Sequence, residues 1–207
     1  MSYVHCANHR LHLVVVKALD SEDLVQRFFQ QCASLYCFFS HSKVDSLYHG
    51  QKVVKLLPQR WYGHLQVTRV IFQNYKDILN VLEEIIQRSK DFDGETVVES
   101  EGFLSVIKKE IFRFVLALTK TVLEILEPAD KSLQSRDVGL TACISVINAT
   151  IETINNKRND ACFEEIMDSA RGLSFPIVLN RQYLLRLGKK KRQCFTRRFC
   201  CHRKNIC

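Results

Sequence analysis

The stretch SEDLVQRFFQQCASLYCFF, residues 21–39, decides the fold class of this chain. Its apolar residues recur at intervals of three and four, the repeat that places side chains on one face of an α-helix. Asp20 and Ser21 precede the repeat, and short polar side chains of this kind cap the first turn of helices. We therefore predict an amphipathic helix here, with one face packed against a core.

The same spacing recurs further along the chain. It predicts a helix that opens at residues 60–62, runs through 71–86 and breaks near 91–94. A central helix follows over 103–126, and Pro128 ends it. Two more helices are predicted, one over 144–154 and a short one over 163–170 that stops at Gly172. The run Leu13-Val14-Val15-Val16 is interpreted as buried helix, with a strand as the alternative. The chain is predicted to be an all-α bundle of five or six helices.

Composition supports a globular, intracellular protein. With 46% hydrophobic residues and only 7 Gly and 3 Pro, the chain can bury a sizeable core without structural staples. Its 9 cysteines are an odd number, and several lie within helical apolar patterns, which favours reduced thiols. The most apolar stretch, residues 111–126, is too short and too charged for a membrane span, and we expect no membrane partner.

Charge is distributed unevenly along the chain. Residues 181–207 contain ten Lys and Arg and no acidic residue, whereas residues 1–180 contain all 22 Asp and Glu against 20 basic residues. We therefore predict a near-neutral body followed by a disordered cationic tail. Such a tail binds DNA without sequence preference, or serves as a nuclear-import signal. Its candidate nucleic-acid-binding residues are Lys189, Lys190, Lys191, Arg192, Arg197 and Arg198.

Two groups of cysteine and histidine invite a zinc interpretation. The first, HCANHRLH at residues 5–12, has no second ligand pair at the spacing of a zinc finger, so Cys6 and His9 are interpreted as a structural motif. The second is spread over the tail in no compact ligand pattern and is interpreted as reactive or incidental thiols. We expect no metal, no cofactor and no small-molecule substrate, and no phosphate-binding loop or serine-hydrolase motif occurs in the sequence.

The segment Arg60-Trp61-Tyr62 combines a cation with aromatic rings and contains the only Trp. Side chains of these types can stack on a base and contact a phosphate, which makes Arg60 and Trp61 candidates for nucleic-acid binding. The alternative is that Trp61 fills the core at the start of a helix, and physical considerations alone favour this alternative.

Two of these segments resemble conserved blocks of a known family. HCANHRLHLVVVKAL is similar to the Cys-x2-His block of hAT-superfamily transposases, and LLPQRWYGHL is similar to their Thr-Arg-Trp block, with Gln59 in place of the Thr. The chain also resembles zinc finger MYM-type and THAP repressor-like proteins over residues 3 to about 182. The resemblance implies a remnant of a ribonuclease-H-like core at 1–20, a helical insertion domain at 21–176, and a basic tail at 177–207.

The resemblance also implies roles for single residues. Cys6 and His9 would shape the neighbourhood of the active site, and Trp61 would stack on DNA beside Arg60. The family's three catalytic carboxylates lie upstream of the Cys-x2-His block and downstream of the insertion, and this sequence has no counterpart for them. We therefore expect no enzymatic activity.

The resulting hypothesis is a non-catalytic, transposon-derived fragment in the nucleus or cytoplasm, with DNA and related transposase-like proteins as partners. Two alternatives remain at this point. One is a nuclease fragment that a second chain completes by supplying the carboxylates. The other is a helical adaptor whose tail is only a nuclear-import signal.

Overall fold

A computed structural model describes residues 7–57, 60–134 and 139–173. This part of the chain is all-α, as the spacing predicts, and within it no strand occurs. The α-helices are α1 (Ala7–Asp20), α2 (Asp23–Phe39), α3 (Ser42–Leu47), α4 (Trp61–Gln73), α5 (Tyr75–Gln87), α6 (Gly94–Ile107), α7 (Glu110–Leu133), α8 (Leu140–Asn156) and α9 (Asp160–Gly172). A 3-10 helix, Ser89–Asp91, joins α5 to α6. The predicted number of five or six helices is therefore too low.

The prediction missed two corners inside continuous apolar patterns. One is Asn74, which separates α4 from α5, and the other is the pair Lys108 and Lys109 between α6 and α7. The Asn74 amide donates a hydrogen bond to the Val70 carbonyl oxygen at 2.8 Å, and its Oδ1 accepts one from the Gln51 backbone N–H at 3.1 Å. Helices on both sides of each corner bury an apolar face, so the periodicity continues although the chain turns.

Helix α7 is the centre of the bundle. It packs against α1, α2, α4, α6, α8 and α9, and its buried residues lie on most of its circumference. The predicted stop at Pro128 is wrong, because α7 continues to Leu133. Pro128 is exposed, and the turn that follows it is anchored by the buried residues Ala129 and Leu133. Core packing therefore outweighs the backbone hydrogen bond that proline cannot donate.

Helix α1 contains the run of residues 13–16, which is helical as interpreted but is not buried as a whole. Only Val15 is buried, while Leu13 and Val14 are 57% and 66% exposed. Val15 faces the bundle because α1 packs against α2, α4 and α7 along a single side. Among the described residues, no helix is both long and apolar enough to cross a membrane.

Candidate nucleic-acid interface

A cleft of about 750 Å³ opens between the start of α1, the start of α4 and the end of α7. It brings together the two segments that the sequence singled out, although they lie some fifty residues apart in the chain. Its lining consists of Asn8, His9, His12, Leu13, Arg60, Tyr62, Asp130, Lys131 and Gln134.

The first turn of α4 is held in place by a close approach of two backbone segments. A Cβ atom on Gly63 would lie 3.0 Å from the Leu57 Cβ and 3.1 Å from the Leu57 backbone nitrogen and oxygen. The Arg60 N–H also donates to the Leu57 carbonyl oxygen at 3.1 Å, and the Gly63 N–H donates to the Arg60 carbonyl oxygen at 2.8 Å. These contacts fix the backbone of Arg60 at the rim of the cleft.

Arg60 is exposed, and its guanidinium has no ion pair or hydrogen bond to any residue that the structure describes. Three of the other arginines in the described bundle, Arg69, Arg88 and Arg171, are instead held by carboxylates, as Arg69 is by Glu124 at 3.1 Å and Glu127 at 2.6 Å. A guanidinium without a carboxylate partner keeps its donors available for a phosphate group.

The sequence left two roles open for Trp61, filling the core and stacking on a base. In the structure Trp61 fills the core, and the adjacent Tyr62 is the exposed ring. Trp61 occupies the first turn of α4 and is 0% exposed, so it fills the core at the start of a helix and its ring is not accessible for stacking on DNA. Position 61 starts the buried face of α4, which continues through Leu65 and Thr68, and position 62 lies about 100° further around the helix. Tyr62 is 40% exposed and lines the cleft, so it is the ring that a base can reach.

The floor of the cleft is a polar cluster around the buried Asp130. His12 Nε2 lies 3.5 Å from Asp130 Oδ1, and the Gln134 amide donates a hydrogen bond to Asp130 Oδ2 at 2.7 Å. The His12 ring also lies 6.1 Å from the Trp61 ring. Asp130 is only 4% exposed, so this carboxylate connects α7 to α1 below the rim and leaves the rim to other charges.

The rim of the cleft carries positive charge. Arg60 is joined there by Lys131, which is 70% exposed at its side chain and pairs with Glu127 at 3.1 Å, and the exposed His9 in the first turn of α1 also lines the cleft. Among the described residues that line the cleft, Asp130 is the one carboxylate, and none is Ser, Thr or Cys. This set of side chains is suited to holding an anion or a base.

Several predicted site residues fall outside the described part of the chain. These are Cys6 and the tail residues Lys189, Lys190, Lys191, Arg192, Arg197 and Arg198. The proposed pairing of Cys6 with His9 as a structural motif therefore remains a prediction. Within the described ranges, no group of three or more His, Cys, Asp or Glu side chains could hold a metal ion.

Sequence reasoning overlooked four residues of the cleft: Tyr62, His12, Asp130 and Gln134. Tyr62 could have been found, because only one of two adjacent helical residues can point directly at the core. Asp130 and Gln134 had no local signal, since they come from a helix segment that the sequence placed beyond a stop at Pro128. No protein-family model matches this chain, and no solved structure matches it either.

Proposed function

We propose that this chain is a non-catalytic nucleic-acid-binding module derived from an hAT-type transposase. In this proposal the cleft receives an unpaired nucleotide, and the basic tail binds phosphates without sequence preference. One observation carries the proposal: the 40% exposed Tyr62 and the exposed Arg60 line the same cleft. The resemblance to the Cys-x2-His and Arg-Trp blocks of the transposases supports it independently.

The two side chains would perform complementary tasks. Stacking of a base on an aromatic side chain contributes about 1–3 kcal/mol, and it tolerates any base because every base has a π face. An arginine at the same rim can bind the adjoining phosphate with two hydrogen bonds. Tyr62 would thus select an unstacked base, and Arg60 would hold its backbone.

The basic tail would supply most of the salt-dependent affinity. Ten basic residues in residues 181–207 can displace counterions from DNA, whereas residues 1–180 have no excess of positive charge. Replacement of Lys189, Lys190, Lys191 and Arg192 by Gln should lower affinity at low salt and flatten its dependence on salt. The contribution of Tyr62 should remain, because stacking involves no counterion release.

The experiment compares full-length proteins that bind a labelled single-stranded oligonucleotide in about 0.3 M salt, where contacts to phosphates are weakened. Tyr62→Ala should reduce affinity roughly 5- to 100-fold, the equivalent of one stacked base. Tyr62→Phe should retain affinity because it keeps the ring. Arg60→Ala should also weaken binding, and its matched control is Arg158→Ala, which removes an exposed arginine from the turn between α8 and α9.

Equal affinity of Tyr62→Ala and Tyr62→Phe would refute the role of the cleft. Loss of all binding on neutralising the tail, with no effect of Tyr62→Ala, would leave the tail as the sole DNA-binding element.

We also propose that the chain does not nick DNA with magnesium or manganese, since two-metal catalysis needs several clustered carboxylates and the cleft lining has one. Nicking that disappears when Asp130 is changed to Asn would contradict this proposal.

A further inference from the structure

Helix α8 presents its largest apolar side chains to solvent. None of its residues is buried, and Leu140, Ile144, Ile147 and Ile151 are 79%, 51%, 37% and 52% exposed. The half-buried residues of α8 are Cys143, Val146, Thr150 and Ile154, so three of its four isoleucines are exposed although α8 packs against α7. A soluble helix normally has the opposite arrangement, with its isoleucines against the core. This row of four exposed residues is called the α8 seam below.

The spacing of the α8 seam is that of a helix–helix interface. Successive members are four, three and four residues apart, and the half-buried Ile154 extends the series by three. This alternation of three and four places apolar residues at the a and d positions of a heptad, which interlock with a second helix. A groove for a small ligand or a lipid surface has no need of this periodicity, so the spacing points to a helical partner.

The charge of α8 indicates which helix the partner is. Its only charged residue is Glu152, and the positions that flank the seam are Thr141, Cys143, Asn148, Thr150 and Asn155. Partner choice in paired helices normally depends on complementary charges at these flanks. Here the flanks are neutral, so a charged partner helix would form no ion pairs with them. A second copy of the same helix would meet no like-charge repulsion.

We propose that the α8 seam is the interface of a homodimer, in which α8 packs against α8 of a second copy. In an antiparallel arrangement Leu140 would lie opposite Ile151 of the partner subunit, and Ile144 opposite Ile147 of the partner subunit. Each copy then uses the same four residues, as two-fold symmetry requires.

The area of the seam sets the strength of this dimer. A helix of 17 residues is about 25 Å long, and a pair of such helices buries less than the roughly 1,200 Å² of stable complexes. The helix is already formed against α7, so dimerisation does not have to order it. The dimer is therefore a weak, reversible one that forms at micromolar concentrations.

The test is sedimentation equilibrium of the full-length protein over about 1–200 μM, with a reductant to exclude disulfide-linked dimers. The double variant Ile147→Glu/Ile151→Glu should weaken dimerisation at least about 30-fold, the loss expected when a central interface residue is removed. The matched control is Ser145→Glu/Ala149→Glu, which has the same charge and spacing on the other exposed side of α8. It should dimerise like the wild type, and circular dichroism should show that both variants keep their helix content.

Three outcomes would overturn the proposal. The first is a wild-type protein that stays monomeric up to the highest concentration. The second is dimerisation that both double variants weaken equally, and the third is a dimer that neither variant affects. A monomer whose α8 amides exchange slowly, and become fast in Ile147→Glu/Ile151→Glu, would instead indicate that another part of the same chain covers the seam.

Discussion

Replacement of Trp61 tests the burial of this ring in the core, the alternative that physical considerations alone favour and that the structure shows. The ring is 0% exposed and lies between the His12 and Tyr62 rings, each with its centroid 6.1 Å away. Truncation of a buried Trp leaves a large cavity, and such changes lower the free energy of unfolding by about 3–5 kcal/mol. For a domain of this size, Trp61→Ala should then lower the melting temperature by about 6–20 °C.

The conservative variant Trp61→Phe separates packing from hydrogen bonding. The Trp61 Nε1 atom is buried and has no hydrogen-bond partner among the described residues. Removal of a buried N–H without a partner recovers about 1–3 kcal/mol, whereas the smaller ring leaves a cavity that costs on the order of 1 kcal/mol. Trp61→Phe should therefore be close to neutral or slightly stabilising, although it is a large-to-small substitution.

Urea unfolding followed by circular dichroism at 222 nm measures both variants. Because Trp61 is the only Trp, the wild-type protein offers an independent measurement, and its emission should be blue-shifted and resistant to acrylamide. Trp61→Ala with a stability within about 1 kcal/mol of the wild type would refute the burial of this ring. Emission that acrylamide quenches readily in the folded protein would have the same meaning.

Three further predictions concern the helices around the cleft. Pro128→Ala should raise the free energy of unfolding by about 1–3 kcal/mol in urea titrations, because alanine restores a backbone donor inside α7. A loss of stability would mean that the helix ends at Pro128. Gly63→Ala should lower the free energy of unfolding by about 1–2 kcal/mol, because the new Cβ would lie 3.0 Å from the Leu57 Cβ. Its control is Gly102→Ala, which has open space around the new Cβ and should not lower the free energy of unfolding. Burial lowers the pKa of His64 below its ordinary 6.5, despite the hydrogen bond that its ring donates to the Arg60 carbonyl oxygen. The free energy of unfolding should therefore be constant above pH 6.5 and fall as the pH decreases below it. His64→Gln should abolish this fall.

The sequence predicts helices well where an apolar repeat has clear ends. The helix of residues 21–39 is observed as Asp23–Phe39, although Glu22 is its N-cap and the predicted cap by Asp20 and Ser21 is wrong, and the pattern that stops at Gly172 is observed as Asp160–Gly172. Prediction fails where tertiary packing decides. At Asn74 the apolar repeat continues through a corner, because the next helix also buries a face, and no local residue indicates the change of direction.

The faces of single helices are harder to predict than the helices themselves. The isoleucines of α8 correctly predicted a helix, and the same pattern suggested that their face is buried in the bundle. In the structure this face is exposed, although α8 packs against α7. Periodicity reveals that a helix has an apolar side, but it does not reveal whether the same chain covers that side.

The cleft depends on the continuation of α7 beyond Pro128. Two α7 residues of its lining, Asp130 and Lys131, and the residue Gln134 that caps the helix all lie after that proline. A helix that ended at Pro128 would leave Arg60 and Tyr62 on an open surface, without the carboxylate that binds the Gln134 amide and lies beside His12. Proline therefore lies at the point where a core helix becomes one wall of the proposed interface.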